Sequence, residues 1–167
     1  FLQAGILQAQ TAAAGTLSNA ISVGNNVTIA GSQSITFNGD VSLTTNTRGI
    51  TNSMTAGTLT LNGSKLNIGS ATGSGFTFLL GGTGNTIVNS VIQDYSGGVG
   101  SAAGNLTLNP STNGLITLVG ANPYTGVTTI AGTGKVGVSG LGNSGAASNL
   151  GSNGTINIGT TTTAGTL

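Results

Sequence analysis

The chain has 167 residues, and Gly, Thr, Asn and Ser together supply 94 of them. Only Asp40, Asp94, Arg48, Lys65 and Lys135 carry charge, and there is no His, Cys, Trp or Glu. Those absences exclude a His/Cys metal site and a Ser–His or Cys–His nucleophilic pair; a net charge of +1 offers no basic surface to neutralise phosphates, so nucleic acid is not an expected partner.

Low charge with abundant Ser, Gly and Asn does not here mean disorder. Disordered chains combine low hydrophobicity with high net charge and high Pro. This chain is 37% hydrophobic and has two prolines. Its aliphatic residues are Ile, Leu and Val set among Thr, the material of β-strands. Soluble domains carry about 25% charged residues, against 3% here. Such a surface is solvated by hydroxyls and amides, or lies against other chains, which suits an extracellular scaffold. The lack of Cys is compatible with secretion without requiring it.

Residues 1–14 (FLQAGILQAQTAAA) are expected to form a short helix or an irregular cap, so 1–20 is taken as an N-terminal cap or linker and 21–167 as the main body. Phe1 is expected to be a processed terminus or the start of a fragment. No apolar run of 18 residues occurs, so no transmembrane segment is expected. From residue 21 the apolar residues come in alternating pairs: Ile21/Val23, Val27/Ile29, Ile35/Phe37, Val41/Leu43, Leu59/Leu61 and Leu66/Ile68. Phe76/Phe78, Ile87 with Val91, Leu106/Leu108, Ile116/Leu118, Val136/Val138 and Ile156/Ile158 follow. Each unit has the period of a strand with one buried face, and Gly, Asn and Ser between units supply turns.

Strands this short and this many predict an all-β chain, a single-stranded parallel β-helix (β-solenoid) with Gly/Asn-rich turns. In it each strand pairs with its counterpart one rung away. A sandwich would use strands of about five or six residues. At roughly 20–25 residues per rung, seven or eight rungs are expected. Ala-Gly-Thr-Leu recurs at 14–17, 56–59 and 164–167, and the last copy stops where its sisters continue, as is expected either of a longer array or of chance similarity in a Gly/Thr-rich tail.

Residues 115–138 contain Gly120-Ala121-Asn122, Tyr124-Thr125-Gly126 and Thr128-Thr129-Ile130 in a register that resembles the autotransporter-associated β-strand repeat. Pro123 stands where that repeat usually has Thr, and Gly134-Lys135-Val136 replaces Gly-Thr-Leu. Upstream, Phe76-Thr77-Phe78, Gly84-Asn85-Thr86, Ser90-Val91-Ile92, Val27-Thr28-Ile29 and Ile35-Thr36-Phe37-Asn38-Gly39 are similar to its other stretches. The resemblance implies a right-handed β-helix in exported bacterial surface proteins, serving display, adhesion or biofilm contact. The repeat has no catalytic residues to transfer. In this setting Tyr124 is expected to pin a corner with its hydroxyl in water, and Thr128-Thr129 to join a hydroxyl ladder across rungs.

No catalytic, cofactor-binding or metal-ligating residue is assigned, and no cofactor is expected. Asp40 and Asp94 are the only carboxylates, and their spacing favours turn capping over acid–base work. Gly81-Gly82-Thr83-Gly84-Asn85-Thr86 resembles the start of a calcium nonapeptide, but Thr86 holds the aspartate position; as a phosphate loop it lacks Lys-Ser/Thr and a helix. Asn26, Asn62, Asn105 and Asn153 head Asn-x-Ser/Thr sequons that this composition generates by chance. Thr58/Thr60, Thr45/Thr47 and Thr160–Thr163 lack the constant spacing of an ice-binding face.

The expected function is a non-enzymatic extracellular structural rod whose partners are copies of itself, stacked head to tail through open solenoid ends. Phe1, Leu2, Ile6 and Leu7 are expected to cap the chain's own end or plug the next subunit. The alternative is an adhesin-type passenger that binds carbohydrate or a host or abiotic surface, with Tyr95 and Tyr124 as its aromatic platform.

Overall fold

A computed structural model describes residues 5–9, 13–69, 73–95, 102–152 and 154–159. The chain is a parallel β-helix: three sheets, each built only of parallel pairs between successive rungs, and no helix among the described residues. The first rung is β1 (Gly5–Ala9), β2 (Gly15–Leu17) and β3 (Ile21–Val23); the second is β4 (Val27–Gly31), β5 (Ile35–Phe37) and β6 (Val41–Leu43). The third is β7 (Arg48–Met54), β8 (Thr58–Leu61) and β9 (Lys65–Asn67); the fourth is β10 (Thr77–Gly82), β11 (Asn85–Val88) and β12 (Val91–Gln93). The fifth has β13 (Asn105–Pro110) and β14 (Leu115–Leu118), the sixth β15 (Thr128–Ile130) and β16 (Lys135–Val138), and the last described rung β17 (Ile156–Ile158).

Sheet I runs β1-β4-β7-β10-β13-β15-β17, sheet II β2-β5-β8-β11-β14-β16 and sheet III β3-β6-β9-β12. The seven strands of sheet I, at ~4.8 Å apart, give a rod roughly 30 Å long. Partners on sheet I lie from 22 residues apart, as Leu106 and Thr128, to 30, as Ile50 and Leu80. The wider steps exceed the expected rung and explain why the internal repeat is faint in the sequence.

The interior is a stack of columns. On sheet II, Ile35 faces Leu59 and Phe37 faces Leu61; Leu61 lies opposite Val88, which lies opposite Leu118. All of these side chains are buried. With two or three inward side chains on most strands the interior is filled, and the pleat turns most intervening residues outward.

Three sequence-based expectations need correction. Where a short helix or an irregular cap is expected over 1–14, β1 is a strand paired with β4, and β2 follows as a strand paired with β5; the second rung supplies their hydrogen bonds, which outweighs the weak helical pattern. Ile87 and Val91 are outward-leaning, and Thr86, Val88 and Ile92 are the buried residues there. Pairing with β8 sets the phase, because Thr86 must lie opposite buried Leu59. Ile156 and Ile158 lie in inward columns, opposite Thr128 and Ile130, but are exposed in the last described rung.

Candidate functional site

The two carboxylates do not converge. Asp40, in the turn before β6, accepts hydrogen bonds at Oδ1 from the Ser64 hydroxyl and the Lys65 N–H, both at 3.0 Å. Asp94, just after β12 and nearly buried, accepts from the Gly104 N–H at 2.8 Å, the Thr125 hydroxyl at 2.8 Å and the Thr125 N–H at 3.2 Å. Asp40 thus ties the second rung to the third, and Asp94 ties the fourth to the two segments that follow it. Each carboxylate holds backbone donors at a corner, as turn capping requires. Among the described residues no three acidic, His or Cys side chains form a metal-sized cluster.

Above β12, sheet III gives way to a polar core built from loops. The Asn122 side chain accepts from the Ile92 N–H and donates to the Asn149 carbonyl, both at 2.8 Å. Asn149 in turn donates to the Gly120 carbonyl at 2.7 Å and accepts from Ser139 and the Gly140 N–H. Asn122 thus gives the Ile92 N–H of β12 the partner that a further strand would otherwise supply, and Asn149 holds Asn122 in place. Among the described residues Ser90 Oγ is the one buried side-chain oxygen or nitrogen without a partner.

Tyr124 belongs to this core, contrary to the expectation of a wet hydroxyl. It is fully buried, and its hydroxyl hydrogen-bonds to Thr128 Oγ1. The segment around Asn149–Ser152 closes over it, with the Ser152 N–H donating to the Tyr124 carbonyl at 3.0 Å. Gly151 permits that approach, since a Cβ there would stand 3.0 Å from the ring. Burial pushes the phenol up to about 12, against a smaller opposing effect of the Thr128 hydrogen bond and with a further upward push from Asp94. The expected Thr128-Thr129 ladder is also absent in that form. Thr128 points inward and donates to the Leu150 carbonyl at 2.9 Å, while Thr129 faces out opposite Thr107 and Asn157.

The ladders that do form are mostly of amides. Asn89 donates to Asn62 and Asn62 to Asn38, each at 3.0 Å; Gln93 donates to Asn67 at 2.8 Å and Asn67 to Ser42 at 3.0 Å. The first of these had a sequence signal that went unread: an Asn directly follows Phe37, Leu61 and Val88, the last inward residue of three successive sheet II strands. The sequon residues Asn26, Asn62 and Asn105 all take part in bonds between rungs, Asn26 accepting from Gly49 and Asn105 from Val127; Asn153 lies outside the described residues. The 81–86 stretch runs from the end of β10 through the corner into β11, where Thr86 accepts a bond from Asn52.

Thr16, Thr36 and Thr60 share one outward column of sheet II, which Ile87 interrupts before Thr117. Thr45 and Thr47 occupy a turn, and Thr160–Thr163 lie outside the described residues, as do Phe1 and Leu2. Ile6 is 71% exposed on the outer face, opposite Thr28, so it caps nothing; Leu7 packs on the core. Two of the three Ala-Gly-Thr-Leu echoes fall at sheet II, leading into β2 and β8, and the third is outside the described residues. No helix among the described residues is long and apolar enough to cross a membrane. Comparison with protein-family models, curated proteins and solved structures finds no match to this chain.

Proposed function

We propose that this chain is a non-enzymatic structural protein, a β-solenoid rod that stacks head to tail into a fibre or stalk at a bacterial surface. The observation that carries the reading is the state of the outermost described rungs. At one end Leu7, Ala9, Ala13, Leu17 and Ile35 border a concave seat of about 390 Å³. At the other, Ile156 and Ile158 stand 45% and 53% exposed in columns that are buried one rung below. β1 and β17 each have a described partner on one edge only, and an unpaired strand edge is a template for another strand.

The charge distribution supports the same reading. None of the five charged residues falls in the first or the last described rung, so neither of these rungs carries the charge that commonly blocks edge pairing. A contact between unlike ends is heterologous and propagates as an open filament. The extracellular setting rests on the scarcity of charge and on the resemblance to autotransporter repeats. The separate, capped carboxylates support a rod without catalysis. The carbohydrate-binding alternative loses half its aromatic platform, since Tyr124 is buried.

Negative-stain electron microscopy of the purified chain over a concentration series tests the proposal. Filaments of uniform width that lengthen with concentration are expected, and a variant carrying Ile156→Lys and Ile158→Lys should fail to lengthen. Discrete short rods at every concentration would sink the reading.

A further inference from the structure

A groove on the flank of the rod combines groups that the structural reading leaves unused. Lys135, the first residue of β16, lies opposite Leu115 on β14. One register step before the Thr86–Ile116 pair, Leu115 faces Asn85 on β11. An amide, an aliphatic side chain and an ammonium therefore stand in one column along the rod axis, across three rungs or roughly 10 Å. All three side chains are exposed.

The opposite wall comes from the corners that lead into sheet II. There Thr112 and Thr133 lie in successive rungs with their hydroxyls 2.9 Å apart. The floor is glycine for a steric reason: a Cβ on Gly134 would meet the Ser111 carbonyl oxygen at 2.3 Å, and one on Gly114 the Gly82 oxygen at 2.4 Å. The corners stack closely and leave the floor bare, enclosing about 470 Å³.

The charge in this groove has no counter-ion within the described chain. Both carboxylates are committed elsewhere, Asp40 to Ser64 and Lys65 and Asp94 to Gly104 and Thr125. A single cation is too little for nucleic acid, whose binding depends on neutralising several phosphates. Hydroxyls and an amide spaced along a straight groove suit a polyhydroxylated chain, Leu115 offers an apolar contact to the C–H face of a sugar ring, and Lys135 suits one carboxylate. We propose that this groove binds an acidic oligosaccharide of uronate type, laid along the rod axis with a carboxylate on Lys135. The site does not depend on end-to-end stacking.

The test is an amide-resolved NMR titration of the full chain with a galacturonate tetramer, its fully methyl-esterified form and inorganic phosphate in separate arms. The proposal expects shifts confined to Asn85, Thr112–Leu115 and Thr133–Lys135 with the acidic tetramer, weakening as salt rises, and little response to the ester. Lys135→Gln should reduce affinity about fivefold while Lys135→Arg keeps it, the size expected of one exposed ion pair. Equal response to the ester, the same shifts from phosphate alone, no response at millimolar tetramer, or a response indifferent to Lys135→Gln would each overturn it.

Discussion

The Tyr124 hydroxyl donates to Thr128 Oγ1, and Thr128 passes its own single proton to the Leu150 carbonyl. The direction follows from counting protons: a threonine hydroxyl has one, and Leu150 offers only an acceptor. The relay joins a corner, an inward strand position and the covering segment in one buried chain of bonds. Removing the phenol takes one partner from Thr128, and removing the Thr128 hydroxyl, the middle of the chain, strands the groups on both sides of it. Tyr124→Phe should cost about 1–1.5 kcal/mol, and Thr128→Val, which orphans both the phenol and the Leu150 carbonyl, about 2–3 kcal/mol. Urea unfolding of the two variants checks the order; equal losses would mean the relay does not act as a unit.

The same burial sets an alkaline limit. Tyr124 titrates at about 12 in the fold against about 10 for a free tyrosine. Below pH 10 the phenol is neutral in both states and its contribution is intact. Between pH 10 and 12 the unfolded chain releases the proton and the folded one keeps it, so stability falls as pH rises, by about 2–3 kcal/mol in total. A Tyr95→Phe background isolates Tyr124 for absorbance titration. A folded-state midpoint near 10 would show that the covering segment leaves the ring wet.

Asp94 fixes the same region from the other side. Its oxygens face the N–H groups of Gly104 and Thr125 and the Thr125 hydroxyl. Asp94→Asn keeps the shape but turns an NH2 toward one of these donors, so it should destabilise by about 2–3 kcal/mol. Asp40→Asn, at an exposed corner with two donors, should cost about 1 kcal/mol or less. Thermal unfolding of both distinguishes them, and a neutral Asp94→Asn would contradict the capping role.

How far the sequence reveals this fold can be judged from particular strands. Ile35-Thr36-Phe37 and Leu59-Thr60-Leu61 alternate cleanly and pair as the period requires. β7 escaped the alternation because its inward residues are Ile50, Asn52 and Met54, and a polar residue in the middle hides the pattern. The Thr86 phase escaped because threonine fits either face. Tyr124 escaped because its cover comes from residues 149–152, a distant segment without strand periodicity. Local pattern carries the strands, whereas register and burial at the corners depend on loop lengths that vary between rungs. The Lys135 groove is of the second kind, since its walls meet only through register.

Gly82 marks a corner where backbone freedom is required. Its φ is +110°, and a Cβ would stand 2.1 Å from the Asn52 carbonyl oxygen. Both the left-handed conformation and the contact oppose any side chain. Gly82→Ala should cost about 2–4 kcal/mol, whereas Gly145→Ala, with positive φ but open space around it, should cost only about 1–2 kcal/mol. Guanidinium unfolding of the pair separates contact from conformation; equal costs would show that the close approach to Asn52 relaxes freely.

Two asparagines give the complementary contrast between burial and exposure. Asn52 is fully buried and satisfied, donating to the Asn85 carbonyl at 2.8 Å and Thr86 at 3.0 Å and accepting from the Met54 N–H at 3.0 Å. Asn62 makes two ladder bonds at an exposed corner, where water replaces any partner lost. Asn52→Leu strands two buried groups and a part-buried carbonyl and should cost about 3 kcal/mol, enough to lower the melting temperature by several degrees. Asn62→Ala should cost about 0.5–1 kcal/mol. If the exposed ladder proved as costly as the buried amide, the rod would owe its cohesion to surface amide stacking rather than to its aliphatic columns, and the double variant with Asn38→Ala would then lose less than the sum of the single changes, since both remove the same bond.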